Sequence, residues 1–156
     1  MSALAVGDAI PPVKLADADG ATIDLAAMNG APLVVYFYPK ADTPGCTTEA
    51  QDFTRLAPDF AHLNAQVIAV SRDAPAKLCK FRDKYGLTVR LASDEDGAVC
   101  EAFGTWVEKQ NYGRTYMGIE RSTFLFGADG RLARAWHKVK VPGHAAAVLE
   151  AATALG

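Results

Sequence analysis

The apolar positions of the chain fall into two kinds of run. PLVVYFY, residues 32–38, is continuous and rich in β-branched and aromatic side chains, and QVIAVS, residues 66–71, resembles it. Both predict strands buried on two faces. Between them Phe53, Leu56, Phe60 and Leu63 recur at alternating spacings of three and four. That is the helical period, and it predicts one helix from about residue 44 to 62 with these side chains on a single face. APAKLCKFRDKYG, residues 74–86, predicts a second helix closed by a glycine. A short strand is expected near 88–92 and a short helix over 95–104. STFLF, GADG and RLARAWH, residues 122–137, read as strand, turn and strand, hence a hairpin. PGHAAAVLEAATAL, residues 142–155, predicts a final helix. Near the start, DADG at 17–20 sits between two short extended stretches and predicts an N-terminal hairpin. No repeat, linker or low-complexity segment interrupts the chain. This order predicts an α/β fold with a mixed sheet and helices on both faces, in one domain spanning 1–156.

Composition narrows the function. Half of the 156 residues are hydrophobic and 22% are charged, with a net charge of −2. That balance predicts no nucleic-acid partner. The basic cluster at 131–140 reads as a solvated strand edge. The longest apolar run, 33–38, is too short to span a bilayer. The first residues lack a signal-peptide pattern, so a cytoplasmic location is expected. The three cysteines, Cys46, Cys79 and Cys100, form no Cys-x-x-Cys pair, and an odd count argues against a secreted disulfide framework. His62, His137 and His144 are dispersed, so no metal site is expected.

The unusual feature is the framing of one thiol in YPKADTPGCTTEA, residues 38–50. Thr43 precedes Pro44, and a residue before proline is pushed out of the α region. Proline favours the first helical position. Thr43 is therefore the expected N-cap, which puts Cys46 at N3, where a capping box often carries an acid. Free N–H groups and the helix dipole favour negative charge there. Cys46 reads either as a small apolar packing group or as a reactive thiolate; the surrounding Pro39, Thr43, Pro44 and Gly45 favour the second. Ionisation alone cannot make a fast enzyme. A free thiol is under roughly 10% thiolate near neutral pH, and full ionisation gains only on the order of tenfold. Fixed donors that stabilise charge as a bond breaks contribute about a hundredfold each. The Gly45 and Cys46 N–H groups, the Thr43 hydroxyl and a nearby arginine are the candidates.

FYPKADTPGCTTE closely resembles the Pro-x-x-x-Thr-x-x-Cys signature of peroxiredoxins, here Pro39, Thr43 and Cys46. SRD at 71–73, GIERSTFLF at 118–126 and AWHKVKVPGHAAAVLEA are similar to the bacterioferritin-comigratory, or peroxiredoxin Q, subfamily. The resemblance runs from about residue 7 to 155. It implies a thioredoxin-like fold, a mixed central sheet flanked by helices with an N-terminal β-hairpin extension. It also implies a thiol peroxidase that needs no cofactor. Cys46 would be the peroxidatic cysteine, oxidised to a sulfenic acid. Thr43 would orient the peroxide or bond the sulfur, and Pro39 would shield it from solvent. Arg121 would pair with the thiolate and the peroxide, and Glu49 would steer that arginine. Without the motif, Arg121 reads as a surface arginine.

The second thiol is open. Some subfamily members resolve the sulfenic acid with a cysteine five residues on, which here is Gln51. Others use a cysteine on the later helix. Cys79 lies on that helix, one turn before the usual place, which aligns with Arg82. It reads either as the resolving cysteine or as an ordinary helix residue in an enzyme that uses an external thiol directly. Cys100 reads as core. Trp136 reads as packing, His137 and His144 as surface or capping residues, and Tyr112 and Tyr116 as ordinary residues, with a place at a site entrance as the lesser alternative. The implied partners are a hydroperoxide substrate and thioredoxin or a similar thiol donor, and the resemblance leans towards a monomer. A general disulfide oxidoreductase and a peroxide sensor that passes oxidation to a partner protein are the competing readings.

Overall fold

A computed structural model describes residues 4–155. The elements run β1 (Lys14–Asp17), β2 (Thr22–Asp24), β3 (Leu33–Phe37), α1 (Pro44–Arg55), α2 (Ala57–His62), β4 (Gln66–Ser71), α3 (Pro75–Tyr85), β5 (Arg90–Ser93), α4 (Ala98–Ala102), β6 (Trp106–Asn111), β7 (Arg114–Ile119), β8 (Ser122–Phe126), β9 (Leu132–Trp136) and α5 (His144–Ala154). Seven strands form a mixed sheet in the order β2-β1-β5-β4-β3-β8-β9. Strands β3, β4 and β5 are parallel, and β8 returns antiparallel on β3 with Phe37 opposite Ser122. The expected N-terminal hairpin is present as β1–β2.

The continuous apolar run becomes an interior strand, β3, because it must fill two cores. Val34, Tyr36 and Tyr38 point into one cluster with Phe53 of α1, Phe81 of α3 and Val148 of α5. Val35 and Phe37 point into the other, with Val99 and Cys100 of α4 and with Phe103. Alternation along one strand thus holds helices on both faces. The glycine expected to close α3 does so: Gly86 takes φ 62°, a left-handed cap that removes the steric cost of a side chain.

Two expectations about the elements change. The single helix over 44–62 is two helices, broken at Leu56. The cause is Pro58, which cannot donate to the carbonyl of Thr54 and whose ring would collide with it. Phe53, Phe60, Leu56 and Leu63 still pack on one core. The second change is the β6–β7 ribbon, which was not expected. It turns on Tyr112 and Gly113, at φ 51° and 76°, between the paired Asn111 and Arg114. This is the geometry of a tight hairpin turn. Most ribbon positions face solvent, so they carry no apolar alternation to read.

His144 is not a surface residue. It is 7% exposed, its Nε2 lies 2.8 Å from Thr123 Oγ1, and its ring packs edge-on against Phe53 and Trp136. Burial, with some help from the charge of Arg121, pushes its imidazole down to about 4. The unfolded chain therefore binds a proton that the folded chain refuses, between roughly pH 6.5 and 4. Stability is expected to fall as pH falls through that window, by up to about 3 kcal/mol from this group. Urea unfolding of His144→Gln at pH 7 and pH 4 checks it: the variant should lose less stability than the parent.

Candidate active site

The start of α1 builds the site. Thr43 is extended at φ −104° and ψ 156°, with Pro44 in the first turn, as its place before a proline requires. Its hydroxyl, however, does not cap the helix. It donates to the Lys40 carbonyl at 2.8 Å. The reason is local. Asp42 adopts a left-handed φ of 61°, which an aspartate tolerates better than most residues. That turns residues 40–43 back on themselves. Tyr85 Oη and Lys84 Nζ on α3 hold the Asp42 carboxylate at 2.6 and 2.9 Å. Among the described residues, the Gly45 and Cys46 N–H groups keep no protein acceptor. Two donors are therefore left free in the first turn of the helix.

Cys46 is 2% exposed and packs in the cluster that contains Tyr36, Tyr38, Ala41 and Ala50. Arg121 arrives from across the sheet. It immediately precedes β8, whose pairing with β3 brings it to the same sheet end as the start of α1. Its Nη2 donates to Cys46 Sγ at 3.4 Å and its Nη1 to Glu49 Oε1 at 2.5 Å. Glu49 lies one turn beyond Cys46 on α1, so cysteine and carboxylate present to the guanidinium from one helix face. Gly45 makes room: a Cβ there would sit 3.3 Å from Arg121 Nη2.

The electrostatics follow from burial. Glu49 is 1% exposed, and burial pushes its carboxyl up to about 7 against the pull of Arg121. Burial also works against the Arg121 charge, but Glu49 and Cys46 outweigh it and hold the guanidinium protonated. The pair is thus a fixed cation beside a sulfur, oriented by a carboxylate that water does not screen.

The other expected site residues are placed less centrally. Pro39 is exposed and forms part of the wall of a surface cavity, so Tyr36, Tyr38, Ala41 and Ala50 line the buried surroundings of the sulfur. Cys79 is a half-buried free thiol on α3. Its sulfur accepts from Arg82 Nη2 at 3.3 Å and contacts Asp83 Oδ2 at 3.8 Å, so the fold engages it locally rather than with Cys46. Cys100 is fully buried, and burial together with Asp94 pushes its thiol up, as a core cysteine requires. Tyr116 lines the same cavity as Pro39, whereas Tyr112 sits at the ribbon tip, 96% exposed.

Two residues near the site escaped the sequence reading. Tyr36 is fully buried, and its hydroxyl has no protein partner. Burial and then the charge of Glu49 push that hydroxyl up, so it stays protonated. A hydroxyl-bearing aromatic inside a two-sided buried strand was the available signal. Lys109 of β6 lies within the fields of Arg121 and Cys46. Nothing in the apolar pattern marked it, because the ribbon that carries it was not legible.

Comparison with known proteins finds relatives over nearly the whole chain. The model of the AhpC/TSA family matches residues 6–135. The chain is 46% identical over 145 residues to peroxiredoxin Bcp of Bacillus subtilis, covering 93% of this chain and 92% of that protein. A mutant peroxiredoxin Q of Xylella fastidiosa superposes with a TM-score of 0.93 at 40% identity, covering 99% and 98% of the two chains. The bacterioferritin comigratory protein of Xanthomonas campestris, studied for alkyl peroxide reduction, superposes with a TM-score of 0.90 at 44% identity, covering 99% and 98%. No helix among the described residues is long and apolar enough to cross a membrane. With its framed cysteine, its thioredoxin-like sheet and these relatives, the chain belongs to the AhpC/TSA family, as a thiol peroxidase of the Bcp or peroxiredoxin Q branch.

Proposed function

We propose that Cys46 is the nucleophile that reduces hydrogen peroxide and organic hydroperoxides, recycled by thioredoxin or a similar dithiol, in a monomer working in the cytoplasm. The observation that carries the reading is the convergence of Arg121 on both Cys46 Sγ and Glu49. The Cys46 thiolate attacks the terminal oxygen of ROOH. The S–O bond forms as the O–O bond breaks, and the electron pair departs with RO⁻, which takes a proton to leave as ROH. Sulfur is oxidised to Cys–SOH, and the peroxide is reduced. Negative charge moves from sulfur towards the departing oxygen. The Arg121 guanidinium and the free N–H groups of Gly45 and Cys46 stabilise that charge at fixed positions. Thr43 keeps two lone pairs after donating to Lys40, so its oxygen is available to accept the peroxide O–H. Glu49 holds the guanidinium in place. Pro39, itself exposed, shields the sulfur from solvent.

The sulfenic acid then condenses with a thiol, releasing water and leaving a disulfide that the dithiol donor reduces. Cys79 is the candidate internal thiol. Cys46 is 2% exposed and the Cys79 sulfur is held by Arg82, so the link forms through local opening of the first turn of α1 and the Cys79 turn of α3. Peptide mapping after one equivalent of peroxide is expected to show a Cys46–Cys79 link that disappears in Cys79→Ser. Undiminished turnover in that variant, with no such link in the parent, would assign resolution to the external thiol instead. Steady-state peroxide consumption with a thioredoxin system tests the function itself. One oxidation event without turnover is the behaviour of a sensor and would contradict it.

A further inference from the structure

Among the described residues, three buried side-chain oxygens have no protein partner: Tyr36 Oη, Tyr38 Oη and Glu49 Oε2. An unpaired polar atom inside a protein is costly, so each asks where its hydrogen bond goes. Ser71 and Asp73 act on the Tyr38 hydroxyl more strongly than Cys46 or Glu49 do, which assigns it to the end of β4. Tyr36 and Glu49 remain, one a hydroxyl that stays protonated and the other a carboxylate oxygen. One is a donor and the other an acceptor.

The fold sets these two against the same helix. The Tyr36 ring stacks on Phe53, with centroids 4.5 Å apart and planes 13° from parallel. Phe53 lies one turn beyond Glu49 on α1, and Glu49 one turn beyond Cys46, so the three share a helix face. Tyr36 and Cys46 pack in one cluster. Of the charged groups, Glu49 acts most strongly on the Tyr36 hydroxyl, and Cys46 and Arg121 also reach it. Other partners are taken. Thr123, opposite Tyr36 on β8, is engaged with His144 Nε2 at 2.8 Å, and Glu49 Oε1 accepts from Arg121. Tyr36 and Glu49 do not bond each other directly. The group that suits both is a water, which accepts from the hydroxyl and donates to the carboxylate.

We propose that one buried water links Tyr36 Oη to Glu49 Oε2, and that Tyr36 is through it a positioning residue: it keeps Glu49 charged and so keeps Arg121 aimed at the Cys46 sulfur. The role in rate rests on the peroxidase reading; the bridge itself does not. A hydrogen bond to the charged form favours that form, here against the burial of Glu49. The other titratable or charged groups around Glu49 are Arg121 ahead of β8, Cys46 and Asp52 on α1, Tyr38 on β3 and His144 on α5. His144 is neutral near pH 7, so Arg121 supplies the opposing charge.

The test begins without peroxide. Carbon-13 NMR follows the glutamate carboxyls of the reduced protein through a pH titration, with the Glu49 signal assigned by its loss in Glu49→Gln. In Tyr36→Phe its midpoint is expected about one pH unit above that of the parent, because a donor to the charged form is gone. Peroxide reduction then follows the ionised carboxylate. For hydrogen peroxide, kcat/KM of Tyr36→Phe should lie about fivefold below the parent at pH 7 and match it at pH 9, as such a displaced midpoint requires. In a Glu49→Gln background the same substitution should change the rate less than about twofold. A crystal structure of the parent is expected to show a water within hydrogen-bonding distance of both oxygens. An unmoved midpoint, an equal loss in the Glu49→Gln background, or no water between the two oxygens overturns the proposal. A displaced midpoint in a protein that consumes no peroxide upholds the bridge and overturns the peroxidase reading instead.

Discussion

Replacing Cys46 by serine is expected to abolish peroxide consumption, with kcat/KM falling by at least about 10⁴-fold, as for removal of other covalent nucleophiles. The substitution exchanges sulfur for oxygen in a position 2% exposed, so shape and packing change little. Chemistry changes entirely. A hydroxyl is not ionised near neutral pH and cannot accept the peroxide oxygen as sulfur does. The Arg121 donor, the free helix N–H groups and the fold all remain, so the variant isolates the nucleophile from its surroundings. Peroxide consumption measured with the thioredoxin system, beside an unfolding curve, separates loss of chemistry from loss of structure. Retained turnover would show that Cys79 or Cys100 carries the reaction.

The second large effect belongs to Arg121. Arg121→Met should lower kcat/KM by about 10²–10³-fold, the usual loss for one fixed donor aimed at developing charge. Stability should respond less than the break of a buried ion pair would suggest. Removing one partner of such a pair commonly costs about 3–5 kcal/mol because the other charge is stranded. Here Glu49 already has its carboxyl pushed up to about 7, so it can take a proton when the guanidinium is gone. The double variant Arg121→Met with Glu49→Gln separates the two contributions. It should match the single variant in rate and exceed it in stability above pH 7. Equal rates for Arg121→Met and the parent would remove the guanidinium from the mechanism.

Legibility in the sequence followed burial and distance. Strands β3 and β4, the helical face of Phe53 and Phe60, and the glycine cap at Gly86 were readable because local chemistry and the burial pattern agree there. The break at Leu56 was written in Pro58 but was outweighed by the periodicity around it. The β6–β7 ribbon was not readable, since most of it faces solvent and its turn is Tyr-Gly rather than Asn-Gly. The capping role expected of Thr43 failed for a conformational reason: the left-handed Asp42 turned the hydroxyl towards Lys40. The partnership of Arg121 with Glu49 and Cys46 spans 72 and 75 positions. No spacing rule reaches that far; sheet pairing between β3 and β8 brings it about, and only the family motif pointed to it beforehand.

The most direct measurement is chemical trapping at Cys46. Reduced Cys79→Ser protein is mixed with one equivalent of hydrogen peroxide in the presence of dimedone, and the cysteine peptides are mapped by mass. The expected result is near-stoichiometric dimedone adduct on Cys46, formed within seconds, with Cys100 unmodified. Peroxide left unconsumed and Cys46 recovered as a free thiol would contradict the assignment of this sulfur as the peroxide-reducing centre.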